Sequence, residues 1–151
     1  MRIDAFTHFY PARYYRRMEE IGVGLKDMFR RARAVQSIHD LDTRLRLVGQ
    51  FADYAQILSL PMPTLETISK GDTKAALELA EIGNDGLAEL VARHPRQFPA
   101  FVAQVPLAAG DAGIAEVERA ITSSGRSGCK SSPMSAASRS TGRSLRLSSP
   151  T

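Results

Sequence analysis

Tryptophan is absent from the 151 residues, and cysteine occurs once, as Cys129. One thiol excludes an internal disulfide framework and any cysteine-rich metal site. Long apolar runs are missing too. None approaches the roughly 20 residues that cross a bilayer, and Asp4, His8 and Arg13 break up any signal-like apolar region near the start. The expectation is a cytoplasmic protein that touches no membrane. Acidic residues are missing from the whole of residues 123–151, which carry Arg126, Lys130, Arg139, Arg143 and Arg146. The formal charge of +4 is therefore +5 on that segment and −1 on residues 1–122. The basic isoelectric point belongs to the tail. No stripe of alternating basic and aromatic residues suggests base stacking, so no nucleic-acid partner is expected.

What is present suits one domain with a packed core: 151 residues, 43% of them hydrophobic. Residues 2–9 read as a strand, and Pro11 fits the first turn of a helix, PARYYRRMEEIG, that ends at Gly22 or Gly24. The basic segment LKDMFRRARAVQ is helical in composition. Asp40 is placed to cap LDTRLRLVGQF, where Leu41, Leu45 and Val48 recur at helical spacing. YAQILSLP reads as a second strand, stopped by Pro61, Met62 and Pro63. Residues 73–93 form the longest helical pattern, with Ala76, Leu79, Gly83, Leu87, Leu90 and Val91 on one stripe. Gly83 and Gly86 point to a break or to close packing there. FPAFVAQVPL has the near-continuous apolar character of a strand buried on both faces. Asp111 then caps AGIAEVERAI, with Ile114, Val117 and Ile121 on one face.

Strand, helix, strand, helix, strand, helix argues for an α/β fold with a parallel sheet and right-handed crossovers. The pattern stops after residue 122. Residues 123–151 hold eleven serines and almost no large apolar side chains, so a disordered Ser/Arg-rich tail is expected. The domain organisation is thus a folded part at 1–122 and a tail at 123–151. Cys129, in the tail, is assigned no role.

The strand IDAFTHFYP carries the one pattern with chemical content. At a period of two, Ile3, Ala5 and Thr7 point one way, and Asp4, Phe6 and His8 the other. A histidine at both 6 and 8 would place two imidazoles on one face at a strand end, which is how a metal pair is built. Only His8 is there.

IDAFTHFYP, with QILSLPMP, NDGLAELVARHPRQFPAFVAQVPL and GIAEVERAI, resembles the amidohydrolase-related family, and within it the branch of aminocarboxymuconate-semialdehyde decarboxylase. The resemblance covers roughly residues 2–122 and is most specific over 84–107. It implies an incomplete (β/α)8 TIM barrel, about its first three βα units, since a whole barrel takes about 250 residues. It implies a divalent metal, zinc foremost, bound first by a His-x-His pair at the end of strand one. It implies decarboxylation of a small unsaturated or aromatic carboxylic acid, with metal-dependent hydrolysis as the alternative. A metal-bound water with a lowered pKa suits either reaction.

The sequence departs from that pattern at Phe6, which stands where the first ligand histidine is expected, while His8 matches the second. A catalytic zinc takes three protein ligands as a rule. His8 is read either as a metal ligand or as a packed strand-end histidine. His39 and His94 are read as structural, His39 beside a helix start and His94 in a helix-ending turn. Arg33, Arg44 and Arg46 lie where a guanidinium can reach a carboxylate substrate, but a solvated helix face is the preferred reading of all three. Pro61, Met62 and Pro63 shape either a pocket or a tight turn.

The family continues after such a helix with a fourth strand. Joining the third nucleotide of each tail codon to the first two of the next turns Met134–Ser135 into valine and Cys129–Lys130 into glutamine, given suitable codons. The tail then reads as a strand, a loop and a helix start. A frameshifted tail, or a genuine short form, is the expectation. The chain alone is expected to be inactive, a non-catalytic fragment or pseudoenzyme, and its open sheet edges invite self-association.

Overall fold

The computed structural model describes residues 1–22 and 25–123. The tail, Cys129 and the expected frameshift lie outside the described residues. The first strand, β1 (Arg2–His8), is followed by α1 (Ala12–Ile21), α2 (Lys26–Ala34), a 3₁₀ turn and α3 (Leu41–Val48). Next come β2 (Tyr54–Ser59), α4 (Leu65–Ser69), α5 (Thr73–Arg93), the two-residue β3 (Ala100–Phe101), a second 3₁₀ turn and α6 (Asp111–Ser123). The strands form one parallel sheet in the order β1-β2-β3. No described helix is long and apolar enough to cross a membrane.

Register defines the two faces of the sheet. Asp4 pairs with Gln56 and Thr7 with Leu58, so three steps along β1 match two along β2. One extra residue is accommodated in a bulge. The face of Asp4, Thr7, Gln56, Leu58 and Phe101 lies under the helices, where Leu58 packs with Tyr14, Met18, Ile68, Leu79, Leu87 and Phe98 in the core. Burying a leucine there contributes about 1.5–3 kcal/mol. The opposite face, with Ile3, Phe6, His8, Ile57, Ser59 and Val102, carries no helix among the described residues. Phe6 is 83% exposed, Ile3 51% and Val102 53%.

Several expectations are corrected. The bulge moves Asp4 off the face of Phe6 and His8, which strict alternation had assigned to it. Only Ala100 and Phe101 of FPAFVAQVPL pair as a strand, and Val102 and Val105 are exposed rather than buried on both faces. The backbone of Gln104 is instead taken by a side chain: Asn84 Oδ1 accepts from its N–H at 2.8 Å, and Asn84 Nδ2 donates to its carbonyl at 3.2 Å. In α6 the inward face is Gly113, Glu116 and Ala120, while Ile114 is 58% exposed. Asp111 lies inside the first turn of α6, and the Gly110 carbonyl accepts the first helical bonds. Asp40 does cap α3, accepting from the Thr43 N–H at 2.7 Å.

Helix α5 runs unbroken through both glycines. A Cβ on Gly83 would lie 2.6 Å from Leu60 Cδ1 and 3.0 Å from Tyr14 Cδ2. One on Gly86 would lie 2.5 Å from Pro11 Cβ. Of the two readings, close packing is the one observed. Helix α1 is clamped to α5 by the Arg17 guanidinium, which meets Glu78 through two bonds of 2.8 Å. The Met62–Pro63 bond is cis, and the Tyr10 hydroxyl donates to the Met62 carbonyl at 2.6 Å.

Gly86→Ala tests the packing. Alanine gains about 1 kcal/mol in helix propensity, but overpacking against a proline ring costs about 1–3 kcal/mol. The expected result is a lower Tm, and a raised Tm would refute the close approach. The second test is alkaline. Burial, and then the neighbouring Tyr15, push the Tyr10 phenol from 10.0 up to about 12. The folded state favours the neutral phenol, so this stabilisation is complete below pH 10 and is lost as pH rises through 12. Denaturant midpoints at pH 9 and 11.5 should differ less for Tyr10→Phe than for the parent chain.

Candidate functional site

The C-terminal ends of parallel strands are where α/β proteins collect chemistry, and His8 and Ser59 stand level there as register partners. His8 Nδ1 lies 2.7 Å from Ser59 Oγ. The Ser59 hydroxyl has one proton, and it donates that proton to the Thr7 carbonyl at 2.9 Å. Ser59 Oγ is therefore the acceptor, and Nδ1 carries the hydrogen. In the neutral ring this leaves the Nε2 lone pair available as a base or a ligand. The Phe6 ring meets the His8 ring edge-on, with centroids 4.8 Å apart. The expected shared face of residues 6 and 8 is thus observed.

The backbone beneath His8 is held as well. Arg44 of α3 donates from Nη2 to the His8 carbonyl at 2.8 Å. Burial lowers the Arg44 pKa, opposed by the nearby Tyr54 and Asp4. Thr7 donates its hydroxyl to the Ile57 carbonyl at 2.7 Å. Phe9 N–H bonds the Ser59 carbonyl and Tyr10 N–H the Ile38 carbonyl. The strand end is fixed by side chains from two other elements.

Other expected residues fall elsewhere. Arg33 pairs with Glu19 on the helical surface, and Arg46 is exposed beside Thr43. Of the three arginines only Arg44 reaches the strand end, and it grips backbone rather than facing solvent. His39 stacks on Tyr15 with centroids 5.4 Å apart, and the helix start beside it is capped by Asp40. His94 ends α5 and meets Phe98 edge-on at 6.2 Å. Both histidines keep a structural reading. Pro61 and Pro63 are buried and Met62 is exposed.

A cleft of about 710 Å³ lies at the other end of the sheet, between α3 and the starts of β1 and β2. Asp4 accepts there from the Tyr54 hydroxyl at 2.9 Å and from the Phe6 N–H at 3.1 Å. The backbone bond from Phe6, the Tyr54 bond and the Arg44 charge hold its carboxyl below the usual 3.8. Most of this cleft's lining lies on the helix side of the sheet, and Ile3 borders it from the other side of the β1 edge. The residues present do not fit a metal centre by themselves: among the described residues no group of three or more His, Cys, Asp or Glu could hold an ion. At the strand end a single imidazole is available, with Phe6 beside it.

No family model matches the chain. Among proteins of known activity it is similar to gamma-resorcylate decarboxylase of Rhizobium radiobacter, 42% identical over 84 residues, which is 56% of this chain and 25% of that one. The gamma-resorcylate decarboxylases of a Rhizobium species and of Rhodococcus jostii are 39% and 36% identical over the same length, again 25% of each. The matched stretch thus spans about a quarter of these relatives. A crystal structure of 2,6-dihydroxybenzoate decarboxylase in complex with 2,6-dihydroxybenzoate superposes with a TM-score of 0.57 at 27% identity. That match covers 84% of this chain and 36% of the solved one. The chain is therefore similar, over part of their length, to decarboxylases, and it shares an α/β architecture with one of known structure.

The tautomer of His8 is directly measurable. Long-range ¹H–¹⁵N correlation spectra at a pH where the ring is neutral should show Nδ1 protonated and Nε2 bare. Ser59→Ala should erase that preference, because the one acceptor bonded to Nδ1 among the described residues is gone. An Nε2–H ring in the parent chain would refute the assignment.

Proposed function

We propose that residues 2–122 are the opening βα units of a metal-dependent decarboxylase barrel, with carbon–carbon lyase chemistry on a small aromatic or unsaturated carboxylic acid. The observation that carries this reading is His8 at the C-terminal end of β1, in a chain 42% identical over 84 residues to a decarboxylase of gamma-resorcylate. The names of the relatives favour decarboxylation over hydrolysis. The aminocarboxymuconate-semialdehyde decarboxylase branch is the finer placement we propose within that family.

His8 is the residue of this stretch we assign to a metal, zinc foremost. An ion would supply charge stabilisation for the substrate, but Phe6 supplies no ligand. What these residues do is hold an imidazole. Ser59 sets its tautomer, Arg44 anchors its carbonyl, and the Nε2 lone pair faces the open side of the sheet. Phe6 also favours a second reading, a barrel portion that has lost catalysis.

A chimera separates the readings. Residues 2–122 would replace the matched portion of the solved 2,6-dihydroxybenzoate decarboxylase, with Phe6 retained or as Phe6→His. After circular dichroism and light scattering show both to be folded and monodisperse, release of CO₂ from 2,6-dihydroxybenzoate is measured. The Phe6→His chimera should be active, and the Phe6 chimera at least about a hundredfold slower. Two inactive chimeras would sink the decarboxylase reading. Equal activity would instead remove residue 6 from the ligand set.

A further inference from the structure

Large apolar side chains stand exposed where each of the three strands ends. Phe6 lies against His8 in β1, Met62 follows β2 by three residues, and Val102 follows β3 directly. The backbone at Met62 is pinned. Tyr10, itself buried, donates its hydroxyl to the Met62 carbonyl at 2.6 Å. Pro61 and Pro63 on either side are buried, and the flanking Leu60 and Leu65 already fill core positions. Thr64 then caps α4 by accepting from the Thr67 N–H at 3.3 Å. With its carbonyl bonded inward and both neighbours packed, the Met62 side chain is the group left facing out, 70% exposed. Its position adds to this. Ser59, the register partner of His8, lies three residues before Met62, and three residues span at most about 11 Å. The thioether is therefore within reach of a molecule seated over the His8 ring. An imidazole with a bare Nε2, rimmed by apolar side chains from three strand ends, has the make-up of a small-molecule site: mostly apolar, with few polar groups.

We propose that Met62 is a specificity-determining residue, its thioether packing on the ring face of an aromatic acid seated over His8. The inference rests on the decarboxylase reading, which left two substrate classes, aromatic and open-chain unsaturated acids. Met62 selects the first. A methionine side chain is unbranched and polarizable, and it settles against a flat ring with its sulfur about 5 Å away. An open-chain acid offers no such face. Of the two readings of Pro61, Met62 and Pro63, a tight turn and a pocket wall, both hold: the prolines and Tyr10 make the turn, and the turn presents Met62 as the wall.

Binding and turnover are measured separately. The full 151-residue chain, with ¹³C-labelled methionine methyls, is titrated with 2,6-dihydroxybenzoate and in parallel with sorbate, an open-chain acid. The Met62 methyl signal, identified by its loss in Met62→Leu, should move upfield in the ring current of the aromatic probe. Met62→Ala should weaken binding of 2,6-dihydroxybenzoate at least about threefold and of sorbate less than about twofold, while Met62→Leu keeps most of the affinity. Leu47→Ala, at the far cleft, should change neither. In the Phe6→His chimera, Met62→Ala should raise KM at least about threefold and leave kcat within about twofold. An unmoved Met62 methyl, an equal loss for both acids, or a larger effect of Leu47→Ala, which puts the probe in the far cleft, would each overturn the proposal. The decarboxylase reading fails separately. If the chimera releases no CO₂ while the Met62 methyl still moves, the ring contact stands and decarboxylation falls. If CO₂ is released with a KM indifferent to Met62→Ala, the ring contact falls alone.

Discussion

One extra residue in β1 governs what the rest of the molecule can do. Between Asp4 and Thr7 the strand takes three steps while β2 takes two. Without the bulge, Asp4, Phe6 and His8 would share a face. With it, Asp4 turns under the helices towards Tyr54, while Phe6 and His8 face the open side. Asp4 also stabilises the kink by accepting from the Phe6 N–H at 3.1 Å. A carboxylate is thus moved from beside the imidazole to the opposite face, and a polar cleft and a candidate site are made from one strand. Bulges are found at such places because they re-aim side chains at little cost to the sheet.

The helical layer makes that geometry rigid. Gly83 and Gly86 let α5 approach Leu60, Tyr14 and Pro11 closely, which fixes the segments that leave β1 and β2. Beyond β3 the chain has little strand pairing, and a buried polar network takes over. Asn84 bonds both backbone groups of Gln104 and donates to Glu116 at 2.9 Å, and Glu116 meets Arg119 at 2.6 Å. A buried carboxylate without such partners would be strongly destabilising. The network ties α5, the segment after β3 and α6 into one body.

The order of elements was legible because it rests on periodicity and on punctuation. Asp40 as a cap, the glycine-bearing stripe of α5 and the second strand all rest on local chemistry. The third strand was misjudged because an apolar run does not show whether its backbone finds a partner, and Asn84 claims Gln104 from 20 residues away. Ile114 misled for a related reason. The inward face of α6 is set by a buried Glu116, which a hydrophobic stripe cannot reveal. At the candidate site His8 was visible and Arg44 was one of three candidate arginines, but Ser59 and the grip of Arg44 on the His8 carbonyl were not legible. Ser59 had a signal, since two parallel strands ending in Thr-His and Leu-Ser place those residues side by side. The grip of Arg44 had none, because a guanidinium that grips a carbonyl reads like any other on a charged helix.

Phe6 joins the questions of chemistry and assembly. A ring 83% exposed at a strand end stabilises nothing in this arrangement beyond its contact with His8. If the open face becomes the inner wall of a ring of strands, that same side chain becomes buried, and burial of a phenylalanine contributes about 1.5–3 kcal/mol. An imidazole in its place would need a proton acceptor or an ion to be tolerated there. In the proposed barrel, phenylalanine at position 6 would favour closure and would supply no ligand. His8 remains poised by Ser59 in either case, because its tautomer is set by the β1–β2 pair alone. The contact that sets the His8 tautomer and the exposed ring of Phe6 are thus separable features of the same strand end.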